Sequence, residues 1–414
     1  MPQLMAYKKL IRPCFLIVGI CLSACSEHTL TTPFVDQALQ VTRASPIVEQ
    51  VPAMQNVESF DLYVDDETTH AVFTATGEDK QHPLIGYLHS EDGGQHWSTP
   101  VEIAKQFNLS VLSRAGNDVQ IAASGENLLV ILQSVGELPG MGPLAVIYST
   151  DASKTWQKGQ NPTGTANDQS HSDLAADQLG RFHLVWLDDR DENGYQGLRY
   201  AGTNDAGQHW DLQQTIDESS CSCCWNRMLV TDSGLINVLY RDMERRDMAL
   251  AQSADYGQTW KQVAKVGNFD WKFDGCPHNG GGITEAGKGD LHAVVWTGKE
   301  NQTGLYHLFS SDTGANWSMP QVIGEGTSAF HSDIAAIDER RLAVIWDAMG
   351  PEGTTIFIAD SSDNGHTWSI PQAISTPGVT AAFPRIVRED SGWLAMWVEQ
   401  QTKTSKKWVS ALIH

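Results

Sequence analysis

The 414-residue chain is short of positive charge: 28 lysines and arginines stand against 50 aspartates and glutamates, a formal net charge of −22. A surface of that sign repels phosphate backbones and anionic lipid headgroups, so nucleic acid is excluded as a partner. It also disfavours a polyanionic substrate unless basic residues gather locally, whereas metal cations are drawn in. Long apolar runs are missing too. The longest, Cys14 to Leu22, falls well below the ~18 residues of a membrane-crossing helix. Cysteine is scarce: of 7 in the chain, four lie beyond residue 25, and Cys221, Cys223, Cys224 and Cys276 are confined to two segments.

What is present begins at the N-terminus. Lys8, Lys9 and Arg12 form a basic stretch ahead of the apolar run, and Leu22-Ser23-Ala24-Cys25 follows it. Small residues before a cysteine at that place mark a processing site, not a fold element. The string resembles a bacterial lipobox. The resemblance implies that residues 1–24 are a signal peptide and that Cys25 becomes the lipidated N-terminus, anchored in a membrane of the cell envelope. Position 26 is Ser, not the aspartate associated with inner-membrane retention, so the outer membrane is favoured. Removing the three basic residues would leave 25 against 50, a formal charge of −25. Residues 25–50, rich in Thr, Ser and Pro, read as a tether, and 51–414 as the folded part.

Repeats organise that folded part. The octapeptide Ser/Thr-x-Asp-x-Gly-x-x-Trp occurs six times, with Asp92, Asp151, Asp205, Asp255, Asp312 and Asp363 at intervals of 50 to 59 residues. The second copy carries Ser153 where the others have glycine. Its chemistry is that of a tight turn: the aspartate accepts backbone amides, the glycine adopts a conformation closed to other residues, and the tryptophan packs between sheets. Seven short apolar strands accompany the turns, beginning at Phe60, Val119, Asp173, Met228, Gly281, Asp333 and Arg385. Longer strands ending in Trp186, Tyr240, Trp296, Trp346 and Trp397 lie downstream of five of them. This spacing predicts an all-β chain, a β-propeller of four-stranded blades, with seven blades favoured over six. The last repeat ends before a seventh turn, so a segment from the N-terminus, within Ser45 to Val51, is expected to supply the closing strand.

The octapeptide resembles the Asp-box, or bacterial neuraminidase repeat, of the sialidase superfamily, and the likeness spans nearly all of 51–414. It implies that each box joins the third and fourth strands of a blade, on the face opposite the active site. The six aspartates are therefore read as structural. Loops leading into the inner strands, and loops joining second to third strands, share the other mouth, where propeller ligands bind. There the chain places Arg114, Asn117-Asp118, Ser170-His171-Ser172-Asp173, Cys221-Ser222-Cys223-Cys224-Trp225-Asn226-Arg227, Cys276-Pro277-His278-Asn279, Phe330-His331-Ser332-Asp333 and Phe383-Pro384-Arg385. The second-to-third-strand loops add Asp188-Asp189-Arg190-Asp191, Arg241 to Asp247 and Asp347-Ala348-Met349, mostly as solvated ion pairs. Arg241 is the best placed of these to point inward.

Two readings of the cysteines stand open. In an exported protein, four thiols are ordinarily disulfides, and bridging Cys276 to Cys223 or Cys224 would staple blade 4 to blade 5. Alternatively, Cys221, Cys223, Cys224 and Cys276 with His171, His278 and His331 form a soft-ligand set suited to copper or zinc. A thiol-exchange role ranks below both readings.

The superfamily resemblance also implies an enzyme hypothesis: exo-α-sialidase, with three arginines clamping the sugar carboxylate and a Tyr–Glu nucleophile pair. Carried over here, the triad would be Arg227, Arg241 and Arg385, and the pair Tyr240 with Glu244. The family's Phe-Arg-Ile-Pro string has only Phe383-Pro384-Arg385-Ile386 as a counterpart, imperfect and out of place. Tyr240 also stands where other repeats carry a packing tryptophan. Sequence alone therefore favours a cell-envelope propeller whose mouth (His171, Cys224, His278, His331, Arg241 and Arg385) takes a small ligand or a copper or zinc ion without cutting glycans. An exo-α-sialidase is the runner-up. A scaffold docking another envelope protein is third, because a propeller fold decides nothing about function.

Overall fold

A computed structural model describes residues 41–43, 56–66, 68–76, 83–137, 141–165, 167–188, 196–323, 328–390, 392–402 and 405–414. Contacts divide the chain at residues 37 and 38; residues 1–37 lie outside the described set, as do Cys25 and Asp189-Arg190-Asp191. Among the described residues twenty-eight strands form seven four-stranded antiparallel sheets, the expected all-β propeller of seven blades. Among the described residues no helix is long and apolar enough to cross a membrane.

Each sheet is numbered here as a blade in chain order. The inner strands are Val57–Asp65, Gln120–Ser124, Gln169–Ala176, Arg227–Val230, Gly281–Glu285, Ala329–Ala336 and Thr380–Glu389. Each touches the next, and the seventh touches the first, which closes the ring. Blade 7 takes its outermost strand from the N-terminal side: Val41–Arg43 pairs with the C-terminal strand Ser405–Ile413, with Val41 opposite Ile413. The closing segment thus precedes the expected window of Ser45 to Val51, which lies outside the described residues.

Between neighbouring blades lies a layer of buried apolar side chains, seven layers in all. Alternate residues of each second strand face opposite neighbours, so both faces must be apolar and the strands read as near-continuous hydrophobic runs. Trp186, Tyr240, Trp346 and Trp397 are all buried in these layers. Blade 5 departs. There Val295 packs against blade 4, and Trp296 turns toward Trp271 and Phe330 at the mouth, so Trp296 is not the counterpart of Trp186.

All six Asp-boxes join third to fourth strands and share one geometry. In the fourth, Ser253 Oγ accepts the Gly257 N–H at 2.8 Å and donates to Asp255. Asp255 accepts both the backbone N–H and the hydroxyl of Thr259, which holds its carboxyl down at about 2. Gly257 has φ +82°, and a Cβ there would sit 2.0 Å from the Tyr200 hydroxyl. Ser153 takes the same left-handed backbone, φ +65°, and its hydroxyl hydrogen-bonds Tyr87. Behind the boxes, odd-numbered blades repeat one polar stack. His70 bonds Tyr87, His183 bonds Tyr200 and His292 bonds His307, and each second partner packs on the next box tryptophan: Trp156, Trp260 and Trp368.

Candidate functional site

The opposite mouth is built from the segments just before the inner strands. Four inner strands open with a bulge, between Val57 and Ser59, between Ser170 and Asp173, between Ala329 and Ser332, and between Ala382 and Arg385. Bulges re-aim side chains at the rim of a sheet. His171 (φ +51°), His278 (+49°) and Phe383 (+56°) hold left-handed backbones there. For a residue with a β-carbon that conformation costs about 1–2 kcal/mol, and such strain collects at functional sites.

The three histidines do meet at one cavity, of about 240 Å³, with Arg114, Cys223, Trp225 and Phe383 also in its wall. His171 donates its backbone N–H to Asn117, and its Nδ1 lies 2.8 Å from Ser170 Oγ. Burial first, then the charge of Arg114, lowers its pKa to about 4, so its imidazole is neutral at pH 7. His331 stacks on Phe383 at 4.0 Å and packs near Trp225. Its Nδ1 is 2.6 Å from Asp347, an arrangement that fixes a histidine ring and its tautomer. Despite their shared local sequence, His171 and His331 therefore have different partners. Asp347 itself is buried and also accepts the Phe383 N–H, and the buried Asp247 accepts the backbone N–H groups of Asp270 and Trp271. These two loop carboxylates are structural, not solvated ion pairs as expected.

The cysteines gather beside this cavity. Among the described residues all four are free thiols. Cys221 Sγ lies 3.0 Å from Cys224 Sγ and 3.7 Å from Cys223 Sγ, all three buried. The hydrogen bonds from Cys223 and Cys224 hold the Cys221 thiol far below the ordinary thiol range. Sharing that proton pushes Cys223 up, and burial first, then the bond to Cys221, pushes Cys224 up. One thiolate thus serves three sulfurs. A second set joins the first at Cys223, where Cys276 Sγ and a His278 ring nitrogen come within 4.8 Å of its sulfur and of each other. Gly280 permits the approach of the two loops, since a Cβ there would lie 2.2 Å from Trp225 Nε1.

The arginines of the sialidase hypothesis go elsewhere. Arg241 is 1% exposed; its guanidinium donates to the carbonyls of Asn279, Trp296 and Arg246 and lies 5.5 Å from the Trp271 ring centre. Its nearby positive charge favours thiolate at Cys221 and Cys224. It does not point into the cavity as expected, because carbonyls of blade 5 and of its own loop claim all of it. Tyr240 donates to Asp217 at 2.6 Å from the layer between blades 3 and 4, while Glu244 is exposed beside Arg245. No Tyr240–Glu244 pair forms, and Tyr240 is the packing residue its repeat position implied.

Arg227 and Arg385 enter a polar ring that sequence reasoning missed. One residue of every inner strand sits at the same register: Asp61, Gln120, Asp173, Arg227, Gly282, Asp333 and Arg385. Arg227 lies 3.5 Å from Asp173 and 3.8 Å from Asp333, reaching past the blade that has only Gly282. Arg385 pairs with Asp118 at 3.4 Å. Asp61, Asp173 and Asp333 accept the backbone N–H of Ile121, Met228 and Ile386 in the following blade, which ties the ring together. Burial raises all these carboxyls, Asp118 to about 7. The signal was present as one polar residue in six of the seven short apolar strands, with glycine in the seventh.

Comparison with known proteins supports the architecture. The BNR repeat-like domain family matches residues 60–266, half of the chain. No curated protein matches. Among solved structures, YCF48 bound to D1 peptide aligns with a TM-score of 0.52 at 15% identity, covering 91% of this chain and 95% of that one. The polysaccharide lyase Uly1 aligns at 0.57 with 11% identity, covering 88% and 90%. A Trypanosoma rangeli sialidase in complex with 2,3-difluorosialic acid aligns at 0.48 with 11% identity, covering 87% and 54%. At such identities the first two speak for the fold alone. With six box turns, seven blades and a family match over half its length, the chain belongs to the BNR repeat-like domain family.

Proposed function

We propose that the mouth binds a soft metal ion, copper or zinc, through its cysteine and histidine side chains, and that the protein does not cleave glycans. The observation that carries this reading is the convergence of Cys221, Cys223 and Cys224, with all sulfurs within 4.8 Å of one another, joined at Cys223 by Cys276 and His278. Sulfurs bound to one ion at about 2.3 Å stand about 3.8 Å apart, close to the 3.7 Å between Cys221 and Cys223. Thiolate and imidazole donors select copper and zinc over hard cations, and the acidic surface favours cations generally. Against sialoside cleavage stand the three arginines, each engaged by carbonyls or carboxylates of the protein itself.

We further propose that the protein stands at the cell envelope, anchored by a lipid on Cys25 and held at the outer membrane; the lipobox-like Leu22-Ser23-Ala24-Cys25 followed by Ser26 supports this. The decisive experiment is metal analysis of the full chain isolated from an exporting host, beside Cys221→Ser/Cys224→Ser. Bound copper or zinc that the double variant lacks supports the reading. Metal-free protein with all four thiols oxidised overturns it. Turnover of a fluorogenic sialoside that Arg385→Ala abolishes would restore the glycosidase. Envelope partners that co-purify with the wild-type chain and with mouth variants alike would point to docking through the rim.

A further inference from the structure

We propose that the five ligands form two sites in series, which pass one copper(I) ion inward from Cys223/Cys276/His278 to Cys221/Cys223/Cys224. The inference rests on the metal reading above and adds the order in which the ligands act. Two three-ligand sets are present, and Cys223 belongs to both. Their exposures are opposite. Cys276 and His278 are open to solvent, whereas Cys221, Cys223 and Cys224 are 2%, 8% and 1% exposed. An ion arriving from outside meets the first set before the second.

The shared thiolate makes the transfer a ligand exchange with no free ion. Cys223 stays bound while the bonds to Cys276 and His278 break and those to Cys221 and Cys224 form. Cys221 binds as the thiolate it already is, and Cys224 releases its proton as it binds. That proton goes to the vacated Cys276 thiolate, so proton and charge balance within the two sites. The metal's oxidation state does not change. Three sulfurs with no fourth ligand among the described residues suit trigonal copper(I) better than a closed four-ligand zinc site. The buried Arg241, whose carbonyl accepts the Cys221 N–H at 2.9 Å, opposes the negative charge that three thiolates leave around a monovalent ion.

The test uses the full reduced chain without oxygen, with copper(I) supplied on the chromogenic chelator bathocuproine disulfonate and transfer followed by stopped-flow absorbance. Cys276→Ser/His278→Ala is expected to bind copper(I) within about threefold of wild-type affinity but to load at least tenfold more slowly. Cys221→Ser/Cys224→Ser is expected to lose at least a hundredfold in affinity while exchanging rapidly. Thermal melts of both variants establish that they fold. Loading of the first variant at the wild-type rate, or equal loss of affinity in both, overturns the series arrangement in favour of one composite site. A wild-type chain that takes no copper(I) from the chelator overturns the metal reading itself, a distinct result.

Discussion

The Asp-box face and the mouth are made by the same seven repeats, yet they spend conformational freedom differently. In the boxes left-handed backbone falls as often on other residues, such as Ala206 and Tyr256, as on glycine, in the same turn each time, and each box serine, threonine and aspartate has its partners. At the mouth left-handed backbone includes His171, His278 and Phe383, whose side chains line the cavity, and the buried Ser332 hydroxyl has no partner. One face holds the ring closed and the other is free to vary. Strained residues whose side chains line a cavity are what a binding site looks like in a repeat protein.

Acid should break the comparison most visibly, because the box face stores neutral histidines. Burial lowers His70 and His292 to about 4 and His307 to about 3. Folded pKa values below the ordinary 6.5 mean that the unfolded chain binds more protons between 6.5 and about 4. Stability is therefore full above pH 6.5 and is lost as pH falls through that window. Calorimetry is expected to show a melting temperature lower by on the order of 10 °C at pH 4 than at pH 7. His307→Tyr, which copies blades 1 and 3, should flatten the profile.

Next in size is Gly257→Ser. It imports the residue that the second box tolerates into a site where a Cβ meets the Tyr200 hydroxyl. A loss of about 3 kcal/mol by urea titration is expected; a change under 1 kcal/mol would mean that the boxes are not individually fitted. Ser361→Ala should cost about 2 kcal/mol, since it leaves the buried Gly365 N–H without its acceptor. The smallest effect has the opposite sign. His278→Gly relieves an exposed left-handed residue and should add about 0.5–1 kcal/mol, while slowing copper(I) loading. Were it to destabilise, His278 would belong to the framework.

These contrasts also explain what the residues disclosed in advance. Blade number, box placement and closure by an N-terminal segment were legible, because each rests on local pattern repeated at fixed intervals. The meeting of His171, His278, His331 and the cysteines followed from repeat equivalence. What stayed hidden depends on contacts between blades. Val295 and Trp296 are both apolar, so the offset in blade 5 left no trace in the pattern. Arg241 turns away from the cavity because three carbonyls brought together by the fold claim it. Tyr240 finds Asp217 across a blade interface, a pairing that no spacing along the chain announces.

The closing strand joins the two ends of the ring. Inner and third strands run from the mouth toward the boxes, so Ser405–Ile413 ends at the box face. Its antiparallel partner puts Val41 opposite Ile413, so both ends of the described ring lie on the box face, on the far side from the cysteine and histidine cavity. Among the described residues only three paired ones, Val41–Arg43, cover the outer edge of Ser405–Ile413, and losing them would expose an unpaired strand edge to other chains.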